Sequence, residues 1–254
     1  KEFTFLAFTQ LSQSFQRNNY QINPISAYLK QFDDKAIFLR HDVDRYPNNA
    51  LKMAKLEYEL GIQSTYYFRI IKSVYSEDII KKIVDLGHEV SYHYEDLSIC
   101  KGDYKKAIKH FECQLNRFRK LVPAKTICRH GSPLSKWDNK KLWDKYSYRD
   151  FGVELDTEHD INFEEVFYIT DNGWGWNNTS VSVRDKVISQ FNIPINNTAH
   201  FMELIQQGQL PDKIMMNAHP DTFFDPGVKW FLNKMKLQSK NIIKRQIVKY
   251  NLIK

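Results

Sequence analysis

The chain is poor in the features that mark secreted, membrane-spanning or nucleic-acid-bound proteins. It has three cysteines, Cys100, Cys113 and Cys128, an odd number with no C-x-x-C spacing. That argues against a disulfide framework and against a thiolate zinc site. Reduced cysteines fit a cytoplasmic location. No apolar run approaches the roughly 20 residues that a membrane span needs. No secretory signal is visible, in a sequence that opens on Lys1 rather than Met. Nine glycines and eight prolines in 254 residues leave no Gly/Pro-rich linker, and there is no repeat or low-complexity tract. One domain over residues 1–254 is the simplest expectation, with a helical extension over about residues 1–32. Long basic tracts are also missing. The formal charge is +7, yet the lysines fall in short clusters such as Lys105-Lys106 and Lys140-Lys141. These are too short for a nucleic-acid tract, so no nucleic-acid partner is expected.

What the chain does have is apolar and aromatic residues. Hydrophobic residues make up 42% of it, with 17 Phe, 14 Tyr and 5 Trp, enough for a sizeable core and for stacking on sugar rings. Phe3, Phe5, Phe8, Leu11 and Phe15 recur at helical spacing, and a second short helix is expected from Ile25 to Phe32. Strands and helices then alternate. Strands are expected over 36–43, 64–70, 88–92 and 126–130, with helices over 47–60, 76–86 and 103–121 between them. After Gly131 the rhythm loosens. A helix is expected near 138–145, strands near 167–170 and 213–218, a helix over 200–207, and a basic C-terminal helix over 228–253. Alternation of this kind predicts an α/β fold with a parallel sheet.

The chemistry concentrates where these strands end. The first strand ends in Arg40-His41-Asp42-Val43-Asp44. Side chains alternate along a strand, so Asp42 and Asp44 lie on one side, where two carboxylates repel unless a cation or a shared proton relieves them. The third strand ends in His93 and Glu95, the next in His130, and a late one in His219. In a parallel barrel all C-terminal strand ends meet at one face. An Asp with two His and open positions suits a divalent metal, Zn²⁺ first, with Fe²⁺, Co²⁺ or Mn²⁺ as alternatives. His88, His110, His159 and His200 read as structural.

These pieces together resemble a known family. His41-Asp42-Val43-Asp44, the run Gly87 to His93, the Arg129-to-Pro133 segment and Asn217-Ala218-His219-Pro220 are similar to the motifs of the polysaccharide deacetylases, the family 4 carbohydrate esterases, in a branch with an Asp-x-Asp first motif. The resemblance spans roughly residues 36–221. It implies a distorted (β/α) barrel and a metal-dependent hydrolase that removes N-acetyl groups from a sugar or glycan precursor. It assigns Asp42 as catalytic base, Asp44 and His93 as metal ligands and His219 as general acid. The family's second metal histidine lies four residues after the first, where this chain has Leu97, so His130 is the expected replacement. Arg184 is then expected to hold Asp42, and Asp171 to hold His219. Trp174 and Trp176, in a Gly-Trp-Gly-Trp loop, either stack on a sugar or pack on the barrel. Tyr94, beside His93, either shapes the pocket or packs.

Two other readings follow from the same residues. Leu97 favours a carbohydrate-binding protein that kept the fold and lost turnover. Strand-end ligands would equally serve another metal hydrolase, such as a phosphoesterase.

Overall fold

The computed structural model describes the chain apart from residues 31–33, 134, 178–179, 183, 185–186 and 251–254, and apart from the side chains of 247–248. The expected helix ends at Phe32 and Ile253, and the positions of Val183, Asp185 and Lys186, lie outside the described residues.

Eight strands form one all-parallel sheet: β1 (Gln21–Asn23), β2 (Ala36–Val43), β3 (Thr65–Phe68), β4 (Glu89–Tyr94), β5 (Thr126–Arg129), β6 (Leu155–Asp156), β7 (Phe167–Thr170) and β8 (Lys213–Asn217). Their order is β6-β5-β4-β3-β2-β8-β7, with β1 paired to β2 off this path. β1 runs opposite Ala36 to Phe38, and β3 begins opposite Arg40, so the two share one side of β2. The helices are α1 (Phe5–Arg17), α2 (Pro47–Glu59), α3 (Glu77–Asp85), α4 (Asp96–Ile99), α5 (Tyr104–Arg119), α6 (Thr198–Gln206) and α7 (Val228–Tyr250).

Local chemistry sets the bounds of these elements. Pro47 occupies the first turn of α2, where its missing N–H costs nothing. Gly61, at φ +68°, follows the end of that helix. The Ser76 and Asp103 side chains accept from Ile79 N and Lys106 N and cap α3 and α5.

The sheet is curled. Arg40 on the central strand β2 donates to Thr157 Oγ1, just past β6, at 2.8 Å and to Tyr168 OH on β7 at 3.2 Å. Those partners stand at opposite ends of the strand order. The twist of parallel strands has therefore curled the sheet into a half-barrel of the (β/α) barrel type, and among the described residues no strand pairing crosses the β6–β7 seam.

Alternation on β2 divides the core. Ala36 and Phe38 face the lumen with Tyr67, Cys128, Tyr168 and Met215. Ile37 and Leu39 face outward against Phe8, Leu11 and Phe201 of α1 and α6. On the other flank Tyr66, Phe68, Tyr92 and Tyr94 pack under α3 and α5 with Ile80 and Phe111.

The structure differs from the sequence reading in short elements. Residues 21–23 form a strand inside the expected helical extension. Residues 139–144 form a 3₁₀ turn rather than an α-helix. β6 and α4, of two and four residues, are too short to register as a period.

A buried carboxylate ties the helix layer to the sheet. Glu57 of α2 meets His41 Nε2, Ser64 Oγ and Tyr66 OH, each at 2.6 Å. His41 also reaches the Ala218 carbonyl at 2.7 Å. Burial alone would push the Glu57 carboxyl up, but His41, His88 and Ser64 outweigh it and hold the group below its ordinary value. Glu57→Ala strands three buried polar groups and is expected to cost about 3–5 kcal/mol in urea unfolding. Because the folded-state value is depressed, the ionised form stabilises the fold above about pH 4.5, and this is lost as pH falls through the folded value. Glu57→Gln should therefore flatten the acid limb of the stability profile. An unchanged acid limb would count against the ionised network.

Candidate active site

The inward register of β2 continues past Arg40 to Asp42, and Asp44 follows one step beyond the strand. β4 turns His93 inward, while His130 and His219 lie one and two residues beyond β5 and β8. Asp42, Asp44, His93, His130, Asp171 and His219 line one pocket of about 120 Å³ at the C-terminal end of the barrel.

Asp42 is buried, with 4% of its surface exposed. Asn217 Nδ2 donates to its Oδ2 at 2.8 Å, and Arg40 Nη2 lies 3.6 Å from the same oxygen. His93 Nε2 and His219 Nε2 each stand 3.9 Å from that oxygen. Burial opposes ionisation, but Arg40, then His93 and His219, outweigh it and hold the carboxyl below its ordinary value.

Asp44 sits between two imidazoles. Its Oδ1 is 3.5 Å from His93 Nε2 and 3.4 Å from His130 Nε2, yet that buried oxygen has no hydrogen bond of acceptable geometry. The far nitrogens are both engaged. His93 Nδ1 meets the Cys128 carbonyl at 3.0 Å, and His130 Nδ1 meets Glu95 Oε2 at 3.1 Å. These acceptors hold each ring by its Nδ1 and leave Nε2 facing Asp44, as outer partners of metal-binding histidines do. Two donor atoms each about 2.0–2.1 Å from one tetrahedral zinc ion stand roughly 3.4 Å apart. Asp44 has that spacing to each imidazole in turn, and a cation there would satisfy its orphaned oxygen, but the three donor atoms do not all lie within 4.8 Å of one another.

Charge follows the same geometry. Burial would lower His130, but Asp44 and Glu95 raise it to about 9. Glu95 is itself gripped by Arg69, with both contacts at 2.7 Å. Burial pushes its carboxyl up, while His130 and Arg69 bring it to about 2. On the opposite wall, His219 Nδ1 lies 2.5 Å from Asp171 Oδ1. Burial alone would lower His219, but Asp171, with Asp42 and Asp44, raises it to about 10.

A second possible ligand group is Asp42, His93 and Cys128, whose ligand atoms lie within 4.8 Å of one another. Its sulfur is poorly prepared. Burial pushes the Cys128 thiol well above its usual range despite Arg40, and Arg40 Nη1 already donates to Sγ at 2.7 Å. The occupied thiol counts against this group, while its mutual distances favour it over the atoms around Asp44.

One expected contact, Arg184 to Asp42, meets a different geometry, and Tyr94, Trp174 and Trp176 take the packing alternative. Arg184 does not reach Asp42. It donates to the carbonyls of Gly131, Ser132 and Trp137 at 2.9–3.0 Å and so clamps the loop after β5. Arg40, two residues before Asp42 on the same strand face, stands beside that carboxylate instead. Tyr94 is fully buried on the outer face of β4, with its hydroxyl on Asp156 at 3.0 Å, because neighbours of an inward His93 must point outward. Trp176 is buried against Phe3 and Phe201, and its Nε1 donates to Thr198 at 3.1 Å. Trp174 packs edge-on against Phe3 and Trp230. The loop turns at Gly173, whose φ is +64° and where a Cβ would lie 2.2 Å from Val181 Cγ2. Leu97 is a core residue of α4, 1% exposed.

Arg40, just before the first motif, and Asn217, within the last, receive no role from the sequence alone. The i, i+2 spacing of Arg40 and Asp42 was the readable signal for the first. The Arg69–Glu95–His130 chain had no such signal, since it crosses from β3 to β4 to β5.

No family model matches the chain, and no curated protein matches it. Solved structures with a similar course include a family 4 carbohydrate esterase from Bacillus anthracis (12% identity, TM-score 0.43, covering 92% of this chain and 84% of that one). A CE4 esterase from Streptococcus mutans is similar at 13% identity and TM-score 0.44, over 90% and 88%. The Bc1960 peptidoglycan N-acetylglucosamine deacetylase is similar at 15% and 0.42, over 95% and 92%. A likeness at this level transfers no residue role.

Zinc titration by calorimetry distinguishes the two ligand groups. Asp44→Ala and His130→Ala should each abolish tight binding, whereas Cys128→Ser should keep it. Glu95→Gln should weaken binding about 10–100-fold. Because His130 holds a proton below about pH 9, zinc binding at neutral pH should release one, and apparent affinity should rise with pH until that value.

Proposed function

We propose that the protein is a metal-dependent hydrolase that removes an N-acetyl group from a sugar or glycan precursor. The observation that carries this reading is the position of Asp42. Its Oδ2 stands 3.9 Å from His93 Nε2 on the candidate metal side and 3.9 Å from His219 Nε2 on the other. A base and an acid thus flank one small pocket, as hydrolysis of an amide requires.

Asp44, His93 and His130 would hold the cation, which when bound supplies Lewis acidity toward a water and a substrate carbonyl. The remaining work falls to the chain itself. Asp42 takes a proton from the attacking water. Arg40 keeps that carboxylate ionised and Asn217 fixes Oδ2, while among the described residues its Oδ1 has only a thiol contact at 3.7 Å. His219 gives its proton to the departing nitrogen as the C–N bond breaks, since an amine anion is too basic to leave. Asp171 orients that imidazole and keeps it protonated. The products are acetate and a free amine. The choice of an N-acetyl sugar rests on the motif resemblance, and a cytoplasmic location on the three free cysteines. Among the described residues no helix is long and apolar enough to cross a membrane.

Asp42→Asn should lower acetate release from N-acetylated sugars by about 10²–10⁴-fold with zinc retained. Asp171→Asn weakens the hold on the His219 proton, so the alkaline limb of the kcat profile should move to lower pH. Full acetate release by Asp42→Asn would sink the assignment of the base.

A further inference from the structure

α7 presents polar residues to the barrel and apolar ones to solvent. Its inward face carries Asn233 and Asn241, both buried. Asn233 donates to the Asp221 carbonyl at 3.0 Å and Asn241 to the Gly173 carbonyl at 2.7 Å. Leu237 and Lys244 of the same face line the pocket. The opposite face carries Val228, Phe231, Leu232, Met235, Ile242 and Ile243, each between 48% and 75% exposed. These positions fall on one stripe of a 3.6-residue helix. From Val228 to Ile243 the stripe covers 16 positions of this helix, a length of about 24 Å.

The charge of the helix is as uneven as its polarity. Residues 228–250 contain seven Lys or Arg and no Asp or Glu, and the formal charge of the whole chain is +7. The rest of the chain is therefore balanced, and this helix carries the entire excess. None of its cations makes a salt bridge among the described residues.

We propose that α7 docks the protein on the surface of a bilayer containing anionic lipid. The apolar stripe needs an apolar layer, and the flanking cations need anions. A membrane interface rich in acidic headgroups offers both in one plane. A second copy of the chain fits worse, because it would bring two uncompensated rows of cations together. No described helix is long and apolar enough to cross a membrane, so the contact is peripheral. Docking on this face brings the pocket rim at Leu237 and Lys244 within about one helix diameter, ~10 Å, of the headgroups. One consequence rests on the deacetylase reading: the substrate sugar would be carried on a lipid at that surface.

Co-sedimentation of the full chain with vesicles tests the docking. The chain should bind phosphatidylcholine vesicles containing about one third phosphatidylglycerol, bind pure phosphatidylcholine far more weakly, and release at high salt. The triple substitution Lys229→Gln, Lys236→Gln, Lys240→Gln should weaken binding about tenfold or more. Phe231→Ser with Ile242→Ser, at exposed positions that leave the fold intact, should do the same. Failure to bind anionic vesicles overturns the proposal, as does equal binding to both compositions. If the Phe231→Ser, Ile242→Ser variant binds as tightly as the native chain, charge alone is at work and the docking face is wrong. A vesicle-free dimer that this variant dissociates would assign the stripe to self-association instead. Asp42→Asn should bind vesicles as the native chain does, whatever its acetate release, so loss of the docking and loss of the hydrolase reading are separable.

Discussion

Two carboxylates at the end of one buried strand set the terms for everything around them. Asp42 and Asp44 leave β2 on the same side, and neither could remain ionised there without compensation. The structure answers them separately. Arg40, from two residues earlier on the same face, and Asn217, from the neighbouring β8, hold Asp42. His93 and His130, from β4 and from the end of β5, converge on Asp44. His219 completes the enclosure from the far wall, itself tied to Asp171. The two carboxylates thus occupy different environments a few ångströms apart, one cradled by fixed donors and the other facing the Nε2 atoms of two imidazoles. On the proposed function, that difference separates a proton acceptor from a metal ligand.

Holding these groups in place is a task for the layers below and outside them. Arg40 spans the lumen to Thr157 and Tyr168, so the residue that compensates Asp42 also draws the two edges of the sheet together. On the outer face, His41 joins Glu57 and the Ala218 carbonyl. The strand that presents both acids is therefore anchored on each side by a buried polar contact, and α2 and β8 are fixed relative to it. Farther out, Arg69 grips Glu95 and Glu95 meets His130, a relay of charge across three strands that orients one imidazole.

The C-terminal helix connects this interior to the surroundings. Its asparagines secure the Gly173 turn and the segment after β8, the two stretches that carry Asp171 and His219. Its opposite face gathers exposed apolar side chains and the chain's excess positive charge. A single element thus borders the pocket on one side and bears an unusual surface on the other.

The sequence alone determined the local parts of this account. An apolar run ending in Asp42-Val43-Asp44, histidines at the ends of later strands, and alternating strand and helix patterns are legible because periods of 2 and 3.6 are properties of neighbouring residues. The same alternation placed Arg40 beside Asp42 and turned Tyr94 away from His93, and it was readable at both positions. What only the tertiary structure decided depends on how far the sheet curls and which strands become neighbours. That is why His130 meets Asp44, why Arg184 is spent on the carbonyls of the loop after β5, and why Trp174 and Trp176 are occupied by Phe3, Phe201 and Trp230. Each of these contacts joins residues 40 or more positions apart, apart from the Trp176–Phe201 pair at 25. No local pattern records a distance of that kind, because it is fixed by packing rather than by the residues on either side.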